Sequence, residues 1–148
     1  GSNFTGRTEL WKFAFQNLSD RPWTGFGFES FWFTPFVRNG EKSLELEWDI
    51  RGAVHGHNGY VDIALTMGIP ALAAALMAMI IMPLIDYARV PKTRENVLMA
   101  DLFLMIFTFS ALNAFLESFF FRRADPVWLL FVMAVFGLRL VARFDVTK

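Results

Sequence analysis

The sequence has no cysteine and little charge for its length of 148 residues. The absence of cysteine excludes a disulfide scaffold, thiol catalysis and a cysteine-ligated zinc site. Charged residues make up 19% of the chain, below the roughly 25% usual for globular domains. The charges also balance, with 14 Lys and Arg against 14 Asp and Glu. Neither sign dominates, so a nucleic-acid-binding protein is not indicated.

Apolar residues are abundant instead, at 55% of the chain, which excludes disorder. The 23 residues from Ile63 to Ile85 include no Asp, Glu, Lys or Arg. A helix of that length spans roughly 34 Å, enough to cross a hydrocarbon core of about 30 Å. This run predicts a transmembrane helix over about 60–85, with a kink favoured near Gly68 and Pro70.

Two further segments are apolar enough to be membrane helices. Residues 96–121 carry only Asp101 and Glu117 as charged residues, and residues 126–142 carry only Arg139. Either segment alone could be the core helix of a soluble protein. Because both follow a clear span after short loops, membrane helices are the favoured interpretation.

Residues 1–59 differ in kind, since they hold six basic and seven acidic residues and no run long enough to span a membrane. Helical spacing predicts an amphipathic helix that starts near Thr8 and stops before Pro22. Its apolar face carries Leu10, Phe13, Ala14 and Leu18, with Trp11 and Phe15 alongside. The aromatic residues that follow would suit a membrane–water interface. We therefore predict an all-α membrane protein, with an interfacial loop of short helices in 1–59 and three transmembrane helices in 60–148.

Loop charges predict the orientation of these spans. Basic residues lie after the first span (Arg89, Lys92 and Arg94) and after the third (Arg143 and Lys148). Short basic loops stay cytoplasmic. Residues 1–59 and the loop around Arg122 and Arg123 are then expected on the opposite side, although this second loop is itself basic.

The two histidines of the chain, His55 and His57, immediately precede the first predicted span. They could ligate a metal with Asp49 or Asp62 as a third ligand, but no recognisable ligand spacing is present. One of them could act as a general base, for which histidine is suited near neutral pH. They could also be solvated loop residues.

Arginines and one glutamate are further candidates for binding. Arg7 stands where a helix begins, which suits an anion site but is also common for a solvated arginine. Arg122 and Arg123 could hold an anion or anchor lipid headgroups. Glu117 follows Asn113 by four residues, and polar groups in a membrane helix face a cavity, a partner helix or water at the end of the span.

Three motifs occur in a fixed order: TGRTELW at 5–11, RPWTGFGFESF at 21–31 and HGHNGYVDIALTMGIPAL at 55–72. Together they resemble the O-antigen ligase and polysaccharide polymerase family of bacterial inner-membrane proteins. Members have about a dozen spans and one large periplasmic loop before the last few. The chain is accordingly expected to correspond to the C-terminal portion of a member, with residues 1–59 on the periplasmic side.

The resemblance implies a glycosyltransferase that needs neither a metal nor another cofactor and uses a polyprenyl-diphosphate-linked glycan as donor. The acceptor would be a lipid A core sugar in a ligase, or another lipid-linked repeat unit in a polymerase. The wording of the second and third motifs leans slightly toward the exopolysaccharide polymerases. Membrane lipids are expected partners and nucleic acid is not. The alternative is a non-enzymatic membrane subunit of a polysaccharide transporter or export system.

The resemblance also implies residue roles. His57, the histidine directly before an Asn, would be the catalytic base, and Arg7 would engage the donor diphosphate. Displacing a diphosphate by a sugar hydroxyl needs a proton acceptor and fixed positive charge. Expected substrate contacts come from His55, Asn58, Glu117, Arg122 and Arg123.

Overall fold

The computed structural model describes residues 4–28, 30–39 and 52–146, and within these residues all regular elements are helical. The helices are α1 (Phe4–Leu18), α2 (Pro35–Arg38), α3 (Gly59–Met67), α4 (Ile69–Leu76), α5 (Met82–Arg89), α6 (Arg94–Asn113) and α7 (Pro126–Val141). A 3₁₀ turn, Phe31–Phe33, precedes α2. The predicted all-helical class is confirmed for the described part of the chain.

The chain divides into two compact units. The first unit contains Gly1–Ala73 and Phe115–Ser118, and the second contains Ala74–Ala114 and Phe119–Lys148. Helix α1 supplies the core of the first unit. Its predicted apolar face is buried at Leu10, Phe13 and Ala14 and partly buried at Leu18, whereas Phe15, expected alongside it, is 55% exposed. The buried residues pack with Phe31, Trp32, Val37 and Leu65.

The aromatic segment after α1 is divided between core and surface. Phe31 and Trp32 are buried, whereas Trp23 is 76% exposed and Phe28 is 53% exposed. The buried rings pack edge to face, with centroids 5.0 Å apart. The exposed rings fit the expectation of an interfacial segment, which stays a prediction.

The expected first span is interrupted at Gly68, between α3 and α4. Helix α3 ends here because residues of the RPWTGFGF segment bind its last carbonyl groups. The N–H of Phe26 donates to the Leu65 carbonyl at 2.9 Å, and the N–H of Gly27 donates to the Thr66 carbonyl at 2.8 Å. Carbonyls at a helix end need such partners, so the segment acts as a C-terminal cap.

A glycine is required at this break. Gly68 has φ +89°, in the region that favours glycine, and a Cβ there would lie 2.5 Å from the Trp23 carbonyl oxygen. Gly25 approaches the same helix end from the other side, where a Cβ would lie 2.5 Å from the Thr66 carbonyl carbon. The two backbones are in direct contact, which explains glycines in both motifs.

Two helices are long and apolar enough to cross a membrane: Ile69–Arg89, with 21 residues, and Arg94–Asn113, with 20 residues. Pro126–Val141 is apolar but has only 16 residues. The first of these helices starts after the predicted beginning at residue 60, because of the break at Gly68. A third span remains a prediction.

The second helix also ends eight residues earlier than the predicted end at 121, and Phe115–Ser118, which follow it, belong to the first unit. There the Ser118 hydroxyl accepts a hydrogen bond from the Asn58 N–H at 3.1 Å. The ring of Phe115 lies 4.7 Å from that of Tyr60. These tertiary contacts override the helical pattern of the sequence.

In the second unit, α7 packs on α5 and α6. The rings of Phe107 and Phe131 stack with their centroids 5.7 Å apart. The Phe103 ring packs directly against the backbone at Gly137, where there is no side chain. Residues Met77–Ile81 form a π turn between α4 and α5. Pro83 follows this turn, and its missing N–H and bulky ring disrupt the ordinary helical hydrogen bonds.

Candidate functional site

The HGHN sequence forms a loop at the start of α3, and Asn58 fixes its end. The Asn58 side-chain oxygen accepts hydrogen bonds from the N–H groups of Tyr60 and Val61, at 3.1 and 3.2 Å. Asn58 is therefore the N-cap of α3. Its own N–H binds Ser118, as described above. The expected substrate contact of Asn58 is untested, and the structure gives its side chain a capping role.

The peptide groups on both sides of Gly56 are held by side chains from two helices, α1 and α3. The Gly56 N–H donates to both carboxylate oxygens of Asp62, each at 3.0 Å. The Trp32 indole N–H also donates to Asp62, at 2.9 Å. The Gly56 carbonyl accepts from the Trp11 indole N–H at 2.9 Å. A Cβ on Gly56 would lie 2.7 Å from Asp62 Oδ1, so a glycine is needed for this approach.

His57 has a left-handed backbone, with φ +49°. Few residues other than glycine adopt it, and such residues concentrate at functional sites. Its N–H donates to Nδ1 of His55 at 3.2 Å, and the two rings meet edge to face with centroids 4.1 Å apart. Because His55 Nδ1 accepts a hydrogen bond, the proton of a neutral His55 ring lies on Nε2. The two rings are thus held together.

Glu117 lies between the two residues to which the resemblance assigns the chemistry. Its Oε2 is 3.5 Å from His57 Nδ1, and its Oε1 is 3.9 Å from Arg7 Nη2. The Nδ1 atom is buried, but 3.5 Å is too long for a good hydrogen bond. These are loose polar contacts between partly exposed side chains, and the one between Arg7 and Glu117 joins opposite charges. They bring residues 7, 57 and 117 to one place in the first unit.

The same side chains include a possible metal-binding set. Ligand atoms of His55, His57 and Glu117 all lie within 4.8 Å of one another. Three protein ligands are the number found in catalytic zinc sites. The third residue here is Glu117, whereas the sequence suggested Asp49 or Asp62. The Asp62 carboxylate instead accepts hydrogen bonds from Gly56 and Trp32. Asp49 lies outside the described residues.

Arg122 and Arg123 belong to the second unit, in the turn that precedes α7. Arg122 is half-buried and Arg123 is exposed. The turn ends at Asp125, whose carboxylate caps α7 by accepting from the N–H groups of Val127 and Trp128. The expected anion contact of the two arginines stays a prediction.

Sequence reasoning missed four residues that shape the site, namely Trp11, Trp32, Asp62 and Ser118. Trp11 was visible as the last residue of the first motif, but nothing in the sequence indicated that it binds Gly56. Asp62 was considered only as a metal ligand. Its place in the first turn of α3, six residues after Gly56, is the one local signal of a carboxylate near the loop.

The comparison with known families agrees with this geometry. The family model described as O-antigen ligase matches residues 1–76, just over half of the chain and all three motifs. The chain therefore belongs to the O-antigen ligase family, and the resemblance is confirmed. No curated protein and no solved structure matches the chain. Membership makes it a membrane-integral enzyme of the ligase or glycosyltransferase type, and its two long apolar helices fit that class.

Proposed function

We propose that this chain carries catalytic residues of an enzyme that transfers a glycan from a polyprenyl-diphosphate donor to a sugar hydroxyl. The supporting observation is that Arg7 and His57, which come from separate motifs, lie on either side of one carboxylate, Glu117. A base and a fixed cation in one place are what displacement of a diphosphate requires.

In the proposed reaction the acceptor hydroxyl oxygen attacks the anomeric carbon of the donor sugar. A new glycosidic C–O bond forms as the bond between that carbon and the diphosphate oxygen breaks. The diphosphate leaves with the electron pair, and the hydroxyl proton passes to His57. Since Nδ1 of His57 faces Glu117, Nε2 is the nitrogen that takes the proton. His55 supports the ring of His57 and contacts the acceptor.

Arg7 stabilises the leaving diphosphate in this proposal. Its side chain is 32% exposed, and its 3.9 Å contact with Glu117 leaves guanidinium donors for a ligand. Guanidinium groups bind phosphate oxygens through two parallel hydrogen bonds. Arg122 and Arg123 are proposed as further cationic contacts. No metal takes part, because arginines supply the positive charge.

The acceptor class distinguishes two versions of the reaction. A lipid A core sugar makes the enzyme a ligase, and another lipid-linked repeat makes it a polymerase. The second and third motifs favour the polymerase of an exopolysaccharide. Incubation of the full-length protein with lipid-linked repeats, with and without lipid A core, distinguishes the two by product length and product anchor.

We place this chemistry at the periplasmic face of the bacterial inner membrane, from the basic loop between α5 and α6. The chain has no cysteine, so single cysteines can be introduced and labelled. Ala124→Cys should react with an impermeant thiol reagent from the periplasm, and Thr93→Cys should react only after the membrane is permeabilised. Labelling of the Thr93→Cys variant in intact spheroplasts would contradict this orientation.

The proposed base is tested by replacing His57 in the full-length protein. His57→Ala should lower transfer from purified lipid-linked donor by about 10²–10⁴-fold, the usual loss on removing a general base. His55→Ala is the matched control. It removes a neighbouring ring and one hydrogen bond to the His57 N–H, so its loss should be clearly smaller. Near wild-type turnover of His57→Ala at equal protein level would eliminate the base assignment.

A further inference from the structure

We infer that Asp62 is a positioning residue for His57, a role that rests on the proposed function. Its carboxylate does not contact His57 itself. It holds the N–H of Gly56, the residue between the two histidines, and thereby fixes the backbone from which the His57 side chain projects.

The hydrogen bonds around Asp62 have ordinary lengths of 2.9 to 3.0 Å and come from two directions. Both carboxylate oxygens accept from the Gly56 N–H, and Oδ1 also accepts from the Trp32 indole N–H. Trp32 is buried in the core of the first unit, so its indole is a fixed donor. Hydrogen bonds to a charged acceptor are about twice as strong as those between neutral groups. Asp62 thus connects the rigid core to the histidine loop.

The loop needs this support because His57 has a left-handed backbone conformation. A left-handed conformation at a histidine persists only where its surroundings determine it. The residues on both sides are indeed fixed: Asp62 and Trp11 bind Gly56, and Ser118 binds the Asn58 N–H. Of these supports, Asp62 is the one that carries charge and uses both of its oxygens.

The hydrogen bond to Gly56 can be observed without any activity measurement. His55–Gly56 is the one His–Gly pair in this chain. Labelling the full-length protein with ¹³C-carbonyl histidine and ¹⁵N-glycine restricts the spectrum to glycines that follow a histidine, and the signal missing from His55→Ala is that of the Gly56 amide. Its proton should resonate downfield because it donates to a carboxylate, and it should move upfield in Asp62→Ala. An unchanged Gly56 amide in Asp62→Ala would overturn the inference.

Kinetics then test what the hydrogen bond does. Small misplacement of a catalytic group can cost about 10²-fold in rate. Asp62→Ala should lower kcat by about that factor with KM little changed, because Asp62 holds backbone and not substrate. Asp62→Asn keeps one acceptor oxygen for the two N–H groups and should recover most of kcat. Asp20→Ala, at an exposed turn of the same unit, is the matched control and should behave as wild type.

If Asp62→Ala does not fold, a second variant, Trp32→Phe, tests the same role while keeping the Asp62 carboxylate. Trp32→Phe removes the indole donor but leaves an aromatic ring in the core. It should shift the Gly56 amide, because the two donors share Oδ1 of Asp62, and it should lower kcat by a smaller factor. Wild-type kcat in a folded Asp62→Ala would overturn the positioning role; where that variant does not fold, wild-type kcat together with an unmoved Gly56 amide in Trp32→Phe would overturn it.

Failure of this inference and failure of the proposed function give different results. If His57 is not the base, His57→Ala retains turnover, whereas the Gly56 amide still moves in Asp62→Ala. If Asp62 does not position the loop, His57→Ala is inactive, whereas kcat of Asp62→Ala is unchanged.

Discussion

In the first unit, polar side chains are buried and bonded to the backbone, whereas in the second unit apolar side chains are exposed along whole helices. Asn17, Asn58 and Ser118 of the first unit are each less than a tenth exposed and each makes a hydrogen bond. The second unit exposes large apolar residues on α6 and α7, among them Leu102, Met105, Phe109, Met133 and Phe136.

This difference indicates that the two units have different roles. Exposed apolar helix faces are costly in water and suit contact with lipid, as expected for a membrane-integral family. Buried hydrogen bonds fix polar groups in position, because a buried polar group without a partner is costly. The first unit therefore has the properties of a site and the second unit those of a membrane anchor. The following predictions test this division, from the largest expected effect to the smallest.

The largest effect is expected at Arg7, in the first unit. Arg7→Ala should lower transfer by about 10²–10³-fold, because it removes a charge that stabilises the leaving diphosphate. Arg7→Lys should recover little, since an ammonium cannot reproduce a bidentate contact with phosphate oxygens. The measurement is the transfer assay at matched protein level. Lys12→Ala is the control, on the exposed side of the same helix. Full recovery by Arg7→Lys would reduce Arg7 to a general electrostatic role.

A smaller effect, on stability, is expected in the second unit. In Gly137→Ala the new methyl group would lie 2.6 Å from the Phe103 ring, so the ring or the helices that carry the two residues must shift. Such overpacking typically costs about 1–3 kcal/mol. Gly52→Ala is the matched control, because a Cβ at Gly52 meets no atom within 4 Å. Thermal unfolding in detergent should show a lower Tm for Gly137→Ala than for Gly52→Ala. Equal Tm values would contradict the tight packing at Gly137.

The smallest effect is expected from removal of metals. If His57 acts as a base and arginines supply the charge, thorough chelation should leave transfer unchanged. The geometry of His55, His57 and Glu117 makes this a demanding test, since three ligand atoms are close together. Activity that disappears with chelator and returns with one divalent ion would establish the metal-binding interpretation instead.

The sequence predicted the local features of both units well. Helical spacing identified the buried face of α1, and the three ordered motifs identified the family. These features depend on neighbouring residues or on short motifs. The break at Gly68 was only partly visible, as an expected kink. Its cause is the approach of the Trp23 backbone, some 45 residues earlier in the chain.

The assembly of the site was not visible in the sequence. Trp11 reaches Gly56 across 45 residues, and Ser118 reaches Asn58 across 60 residues. Such contacts depend on how the elements pack, and periodicity reports only on one element at a time. Glu117 illustrates this, because its helical spacing from Asn113 suggested a place inside a span. The structure ends α6 at Asn113 and places Glu117 beside His57 in the first unit.

The central claim is that Arg7 and His57 act together in one site of the first unit. A double-mutant cycle in the transfer assay tests it most directly, with Arg7→Ala, His57→Ala and the double variant at matched folded protein. Residues that act as a unit are strongly non-additive. The double variant should therefore lose little more activity than His57→Ala alone. Losses that multiply fully, as for two independent residues, would contradict a shared site.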